Sequence, residues 1–129
     1  MGHHIRILLV DDHAGLRQSI RGLFECRQDF EVCGEAEDGM EAITKSAELQ
    51  PDVVVMNVSM PIMNGFDAAR QLKVISPHSG VVILSSDKDE ALLREAKNVG
   101  AICYVLKAEA SRELIDAVVA AADGRSAVL

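Results

Sequence analysis

Nowhere in the sequence does an unbroken apolar run approach the ~18 residues that a membrane-spanning helix needs. The opening Met1-Gly2-His3-His4 passes straight into Ile5, without the basic and apolar stretches of a secretory signal or the character of a transit peptide, so neither is expected. Arg6 stands where N-myristoylation wants Ser or Thr. His3 and His4 are read as a ragged terminus rather than a ligand pair. Cysteine is sparse: Cys26, Cys33 and Cys103 are odd in number and lack metal-like spacing, so reduced thiols in a cytoplasmic protein are expected. A basic excess is missing as well. Acidic residues number 20 and basic ones 13, for a net charge of −7, which argues against nucleic-acid binding by this chain alone and points to proteins or cations as partners. No repeat, low-complexity segment or internal linker breaks the pattern.

What is present is an alternation. Apolar residues make up 49% of the chain, enough for a true core. Residues 5–10, 30–33, 53–56, 81–84 and 102–106 form short apolar runs of strand length. Between them lie helical spacings: Leu16, Ile20, Leu23 and Phe24; residues 41–49 with Met40, Ile43 and Ala47 on one side; and residues 65–75 with Phe66, Ala69 and Leu72 inward. Two more helices follow, at 90–99 with Gly100 as terminator, and at 111–122 with Ser111 as cap and Gly124 as its end. Pro51 stops the second helix. Strands apolar on both faces, alternating with helices, predict an α/β fold: a doubly wound, five-stranded parallel sheet with five helices.

In such sheets ligands bind beyond the carboxyl ends of the strands. The residues there are Asp11-Asp12, Asn57, Ser85-Ser86 and Lys107. Polar residues at a strand end are ordinary, but four strand ends together supply paired carboxylates, an amide, hydroxyls and an ammonium. Adjacent carboxylates suit a hard cation such as Mg²⁺, while lysine and serine suit phosphoryl oxygens.

The stretches Ile7-Leu8-Leu9-Val10-Asp11-Asp12-His13, Asp52 to Pro61, Val82-Ile83-Leu84-Ser85 and Gly100 to Lys107 resemble the response-regulator receiver family of two-component signalling over nearly the whole chain. The Asp-Asp-His, Val-Ser-Met-Pro and Tyr-Val-Leu-Lys segments are most similar to receivers joined to a LuxR-like helix-turn-helix. The resemblance implies a flavodoxin-like strand order 2-1-3-4-5, a receiver domain at residues 1–124, and residues 125–129 as the start of a linker to an output domain outside this chain. It further implies Mg²⁺ held by Asp11, Asp12, the position of Asn57 and the Ser59 carbonyl. Lys107 and Ser85 would contact a phosphoryl group, and Tyr104, the single tyrosine, would act with Ser85 as a switch. A sensor histidine kinase is the implied partner, and residues 90–122 the implied homodimer face.

Asn57 departs from the family, whose phospho-acceptor there is an aspartate. A neutral carboxamide is a poor nucleophile, so no acyl phosphate is expected and Mg²⁺ binding should weaken. Two histories fit: an engineered Asp-to-Asn block, favoured by the intactness of every other pocket residue, or a natural receiver that acts through protein binding without phosphate. A phosphatase with an aspartyl nucleophile fails for want of that nucleophile. A flavin carrier fails because Asp11-Asp12 would repel phosphate after the first strand. His13 is read as a residue near the start of the first helix, and Met60 and Met63 as packing or partner contacts around Pro61.

Overall fold

A computed structural model describes residues 4–124. Met1, Gly2 and His3, and the linker expected at residues 125–129, lie outside the described residues. The elements run β1 (Ile5–Val10), α1 (Ala14–Glu25), β2 (Phe30–Ala36), α2 (Gly39–Leu49), β3 (Val53–Asn57), α3 (Gly65–Ile75), β4 (Gly80–Ser85), α4 (Glu90–Asn98) and β5 (Cys103–Leu106). A 3-10 turn (Lys107–Glu109) then leads into α5 (Ala110–Ala122). The strands form one sheet in the order β2-β1-β3-β4-β5, and every pairing is parallel. This is the doubly wound arrangement that the apolar alternation predicts, in the flavodoxin-like strand order that the resemblance implies.

Strand side chains alternate between two layers. Ile7, Leu9, Val53, Val55, Val82, Leu84 and Val105 pack with Ile20 and Phe24 of α1 and Leu114 and Val118 of α5. Leu8, Val10, Val54, Met56, Val81 and Ile83 pack with Ala42 of α2, Phe66 and Leu72 of α3, and Ala96 of α4. Each large side chain withdrawn from water in this way contributes about 1.5–3 kcal/mol. Both faces of the sheet are covered, so the edge formed by the strands' carboxyl ends is left for a ligand.

Three local expectations are corrected. β2 runs on to Ala36 rather than stopping at Cys33, because a register shift between Ile7 and Leu8 lets Gly34, Glu35 and Ala36 continue the ladder. In α2 the buried positions are Gly39, Ala42 and Ser46, while Met40 is 48% exposed. The Asp38 carboxylate accepts the Glu41 N–H, which starts the helix at Gly39 and turns its small residues, not Met40, Ile43 and Ala47, towards the sheet. Ser111 does not cap α5. The preceding 3-10 turn begins the helix at Ala110, with Glu109 as cap residue and no side-chain capping bond. Gly100, at φ +83°, does close α4 as expected.

Candidate functional site

Because all five strands are parallel, their last residues open on one edge. Asp11 follows β1 and is 2% exposed. Its N–H donates to the Ala36 carbonyl at 3.0 Å, and the Arg17 guanidinium donates to its own carbonyl. Its Oδ1 accepts the His13 N–H at 2.9 Å. Its Oδ2 makes no hydrogen bond, although the Lys107 ammonium lies 3.4 Å away as an ion-pair partner outside hydrogen-bonding geometry. Arg17 and Arg21 also bind Glu35, and the Arg17 hydrogen bond, against some desolvation, holds that carboxyl below its usual range.

Asn57, the last residue of β3, is 4% exposed. Its Nδ2 donates to the Ser59 carbonyl at 2.8 Å and to Asp12 Oδ1 at 3.3 Å. Both partners are acceptors, which fixes the amide with its nitrogen towards them. The start of α3 presses close behind. A Cβ on Gly65 would lie 2.2 Å from the Asn57 carbonyl oxygen, so only glycine fits there.

Ser85 closes β4, and its buried hydroxyl accepts the Asp87 N–H at 3.3 Å. Lys107 opens the 3-10 turn after β5, with a mostly buried side chain. Together Asp12, His13, Asn57, Ser59, Ser85, Ser86, Asp87 and Lys107 line a cleft of about 290 Å³. Tyr104 does not line it. The tyrosine is buried behind, in the layer of α2, α3 and α4, and its hydroxyl donates to the Asp87 carbonyl. Burial pushes the Tyr104 phenol up, the Asp89 and Asp87 charges add to this, and a hydrogen bond with Ser85 opposes it.

The structure thus brings Asp11, Asp12, Asn57, Ser59, Ser85 and Lys107 to one place. It also adds two residues. Asp87, in the β4–α4 loop, joins Ser85 to Tyr104 through its backbone; nothing in the sequence pattern marks it. His13 is the N-cap residue of α1, yet its side chain makes no capping bond. Its Nδ1 instead lies 3.5 Å from Asp11 Oδ1 and 3.5 Å from Asp12 Oδ1. Its adjacency to the acidic pair was the available signal. The buried Asp11 Oδ2, free of hydrogen bonds, beside a second carboxylate is a donor set that fits a hard divalent cation.

An open parallel sheet with acidic, hydroxyl and ammonium groups converging at its switch point defines a flavodoxin-like α/β domain whose cleft is suited to a cation and to phosphoryl oxygens. The response regulator receiver domain family matches residues 7–119, and the chain belongs to it. The transcriptional regulatory protein LiaR of Bacillus subtilis (strain 168) is 36% identical over 120 residues, covering 93% of this chain and 57% of that protein. Chemotaxis protein CheY of Thermotoga maritima is 37% identical over 102 residues, 79% of this chain and 84% of its own. Among solved structures, a LuxR-family two-component response regulator from Aurantimonas sp. SI85-9A1 superposes with a TM-score of 0.89 at 34% identity, covering 95% of this chain and 87% of that one. The chain spans little more than half the length of LiaR. Receiver domains are in general signalling modules rather than enzymes. Among the described residues, no helix is long and apolar enough to cross a membrane.

Proposed function

We propose that this chain is the receiver of a two-component response regulator with an Asp-to-Asn substitution at its phospho-acceptor position, and that in a longer cytoplasmic parent it governs a transcriptional output. The observation that carries this is the placement of Asn57: at the end of β3, buried, in one cleft with Asp12, Ser85 and Lys107. A carboxylate in that place has the negative charge and the lone pair to attack phosphorus; the carboxamide is neutral, and its oxygen is a poor nucleophile. Lys107 and Ser85 are in position to hold phosphoryl oxygens, and Tyr104, tied to Ser85 through Asp87, to report on them. Asp11, Asp12 and the Ser59 carbonyl would hold Mg²⁺, which when bound supplies charge neutralisation for phosphoryl oxygens. Asn57 would join them only with its amide turned round, since its nitrogen faces Asp12 and Ser59. A sensor histidine kinase is the partner this reading assigns to the edge of α1 and the strand-end loops, and residues 90–122 the homodimer face. Similarity to a longer transcriptional regulator, of which the matched stretch covers 57%, supports the output assignment.

Incubation with acetyl phosphate and Mg²⁺, followed by intact mass measurement, tests the central step. The chain should keep its mass, while Asn57→Asp gains one phosphoryl group. A phosphoryl adduct at position 57 of the unaltered chain would refute the reading. One observation favours a second reading, a natural receiver that works by protein binding without phosphate: the Asn57 amide is already satisfied by its neighbours. Kinase-independent binding of the same partner by this chain and by Asn57→Asp is the outcome that reading requires.

A further inference from the structure

We infer that the turn from Met60 to Met63 and the start of α2 form a docking surface for a basic, amphipathic helix of a partner protein. Between β3 and α3 the chain exposes what a fold ordinarily hides. Ile62 is 79% exposed and held at φ +70°, where a β-branched side chain is strained. Asparagine or glycine would occupy that turn at lower cost, but neither would present an apolar side chain. Met60 and Met63 on either side are only partly buried against the core. With Asp67, Arg70 and Gln71 of α3 these three apolar residues line an open cleft of about 570 Å³. The platform is fixed to α2. The Gly39 N–H donates to the Met63 carbonyl at 3.1 Å, and a Cβ on Gly39 would lie 2.5 Å from that oxygen. Met40, next in the chain, adds a second exposed apolar side chain beside this contact.

Charge selects the occupant. Asp38 and Glu41 stand at the start of α2 and Asp67 at the start of α3, on either side of the Gly39–Met63 contact, and exposed Glu37 precedes them. Arg70, which lines the cleft, is already paired with Asp67 and Glu95. The rim is therefore acidic, as is the chain at −7. Such a rim repels nucleic acid, an anionic membrane and a second copy of the same surface. It attracts lysine and arginine flanking an apolar stripe. Methionine suits the stripe itself, because its unbranched, polarisable side chain repacks around the anchors that a helix presents at i, i+3, i+4 and i+7. α2 and α3 cover the face of the sheet opposite α1, so a helix bound here leaves α1 free.

Fluorescence anisotropy on the whole chain tests this, with a labelled peptide of about 14 residues, roughly four helical turns of leucine and lysine with the leucines on one face. Saturable binding is expected, about tenfold or more tighter than for the same residues in scrambled order or for a leucine–glutamate peptide of the same pattern. Ile62→Asn should weaken it about tenfold, as loss of one buried branched side chain does, without lowering the melting temperature. Val74→Asn removes a similarly exposed apolar side chain from α3 outside the cleft and should leave affinity within about twofold. Glu37→Gln with Asp67→Asn should weaken binding about fivefold and flatten its dependence on salt. No saturable binding, an affinity unchanged by Ile62→Asn, or an equal loss from Val74→Asn overturns the assignment. So does a dimer of the chain in sedimentation that Ile62→Asn dissociates, which would place a second copy on this surface.

Discussion

Restoring a carboxylate at position 57 should cost the metal-free fold dearly, and the structure sets the size. In Asn57→Asp, an anionic oxygen replaces the Nδ2 that now lies 3.3 Å from Asp12 Oδ1 and 2.8 Å from the Ser59 carbonyl. Two hydrogen bonds disappear, at about 1 kcal/mol each. Two unit charges at that separation repel by about 5 kcal/mol at an effective dielectric near 20. The Asp12 side chain is one-third exposed, so solvent screens a large part of this, and rotation of the new carboxylate relieves more. A net loss of about 3 kcal/mol remains, equivalent to a melting temperature lower by roughly 10 °C for a chain of this size. Mg²⁺ at about a hundred times its dissociation constant should return about 2.7 kcal/mol to the aspartate form. Thermal melts of both forms, with and without Mg²⁺, read the effect directly. Equal melting temperatures without metal would refute the repulsion argument, and an equal Mg²⁺ shift in the two forms would refute the role given to position 57.

Other outcomes follow from single residues. Ile62 is β-branched, 79% exposed and held at φ +70° in a γ-turn closed by the Met63 N–H on the Pro61 carbonyl, so Ile62→Asn should raise stability by about 1 kcal/mol in urea unfolding. The Glu35 carboxyl is held below its usual range, chiefly by the Arg17 hydrogen bond; its stabilising effect is present above about pH 5 and fades as pH falls below the ordinary carboxylate range. The stability gap between the parent and Glu35→Gln should therefore close on acidification, and a gap constant from pH 6 to pH 3 counts against the pairing. Tyr104 is the only tyrosine, so tyrosinate absorbance reports it alone. Its midpoint should lie above that of free tyrosine because of burial, and the stability it contributes is lost as pH rises past the unfolded value.

How much of this was legible in the sequence depended on whether local or tertiary forces decided. β1 and α3 match their expected limits, because an unbroken apolar run and a capped, amphipathic segment are local signals. β2 outruns its local signal, since Gly34 and Glu35 carry no strand signature and join the ladder only through pairing with Leu8 and Leu9. In α2 hydrophobicity alone favours Met40 and Ile43 as the inward face, whereas the Asp38 cap and close packing favour Gly39, Ala42 and Ser46. At the site, residues at strand ends were found by the rule for parallel sheets. His13 carries no such signal, because an exposed histidine at a helix start is usually unremarkable, and its place near two carboxylates follows only from the fold.

The ion pair between Lys107 and Asp11 spans the sheet's carboxyl edge from β5 to β1, passing over β3 and β4. One ammonium group faces a protein carboxylate and also the cleft where an anion would sit. An anion that draws Lys107 into the cleft leaves Asp11 Oδ2 without its counter-charge, and a cation at Asp11 in turn releases the lysine. Anion and cation occupancy are therefore linked with positive sign. By reciprocity, each raises the affinity for the other by the same factor, even though they touch different atoms.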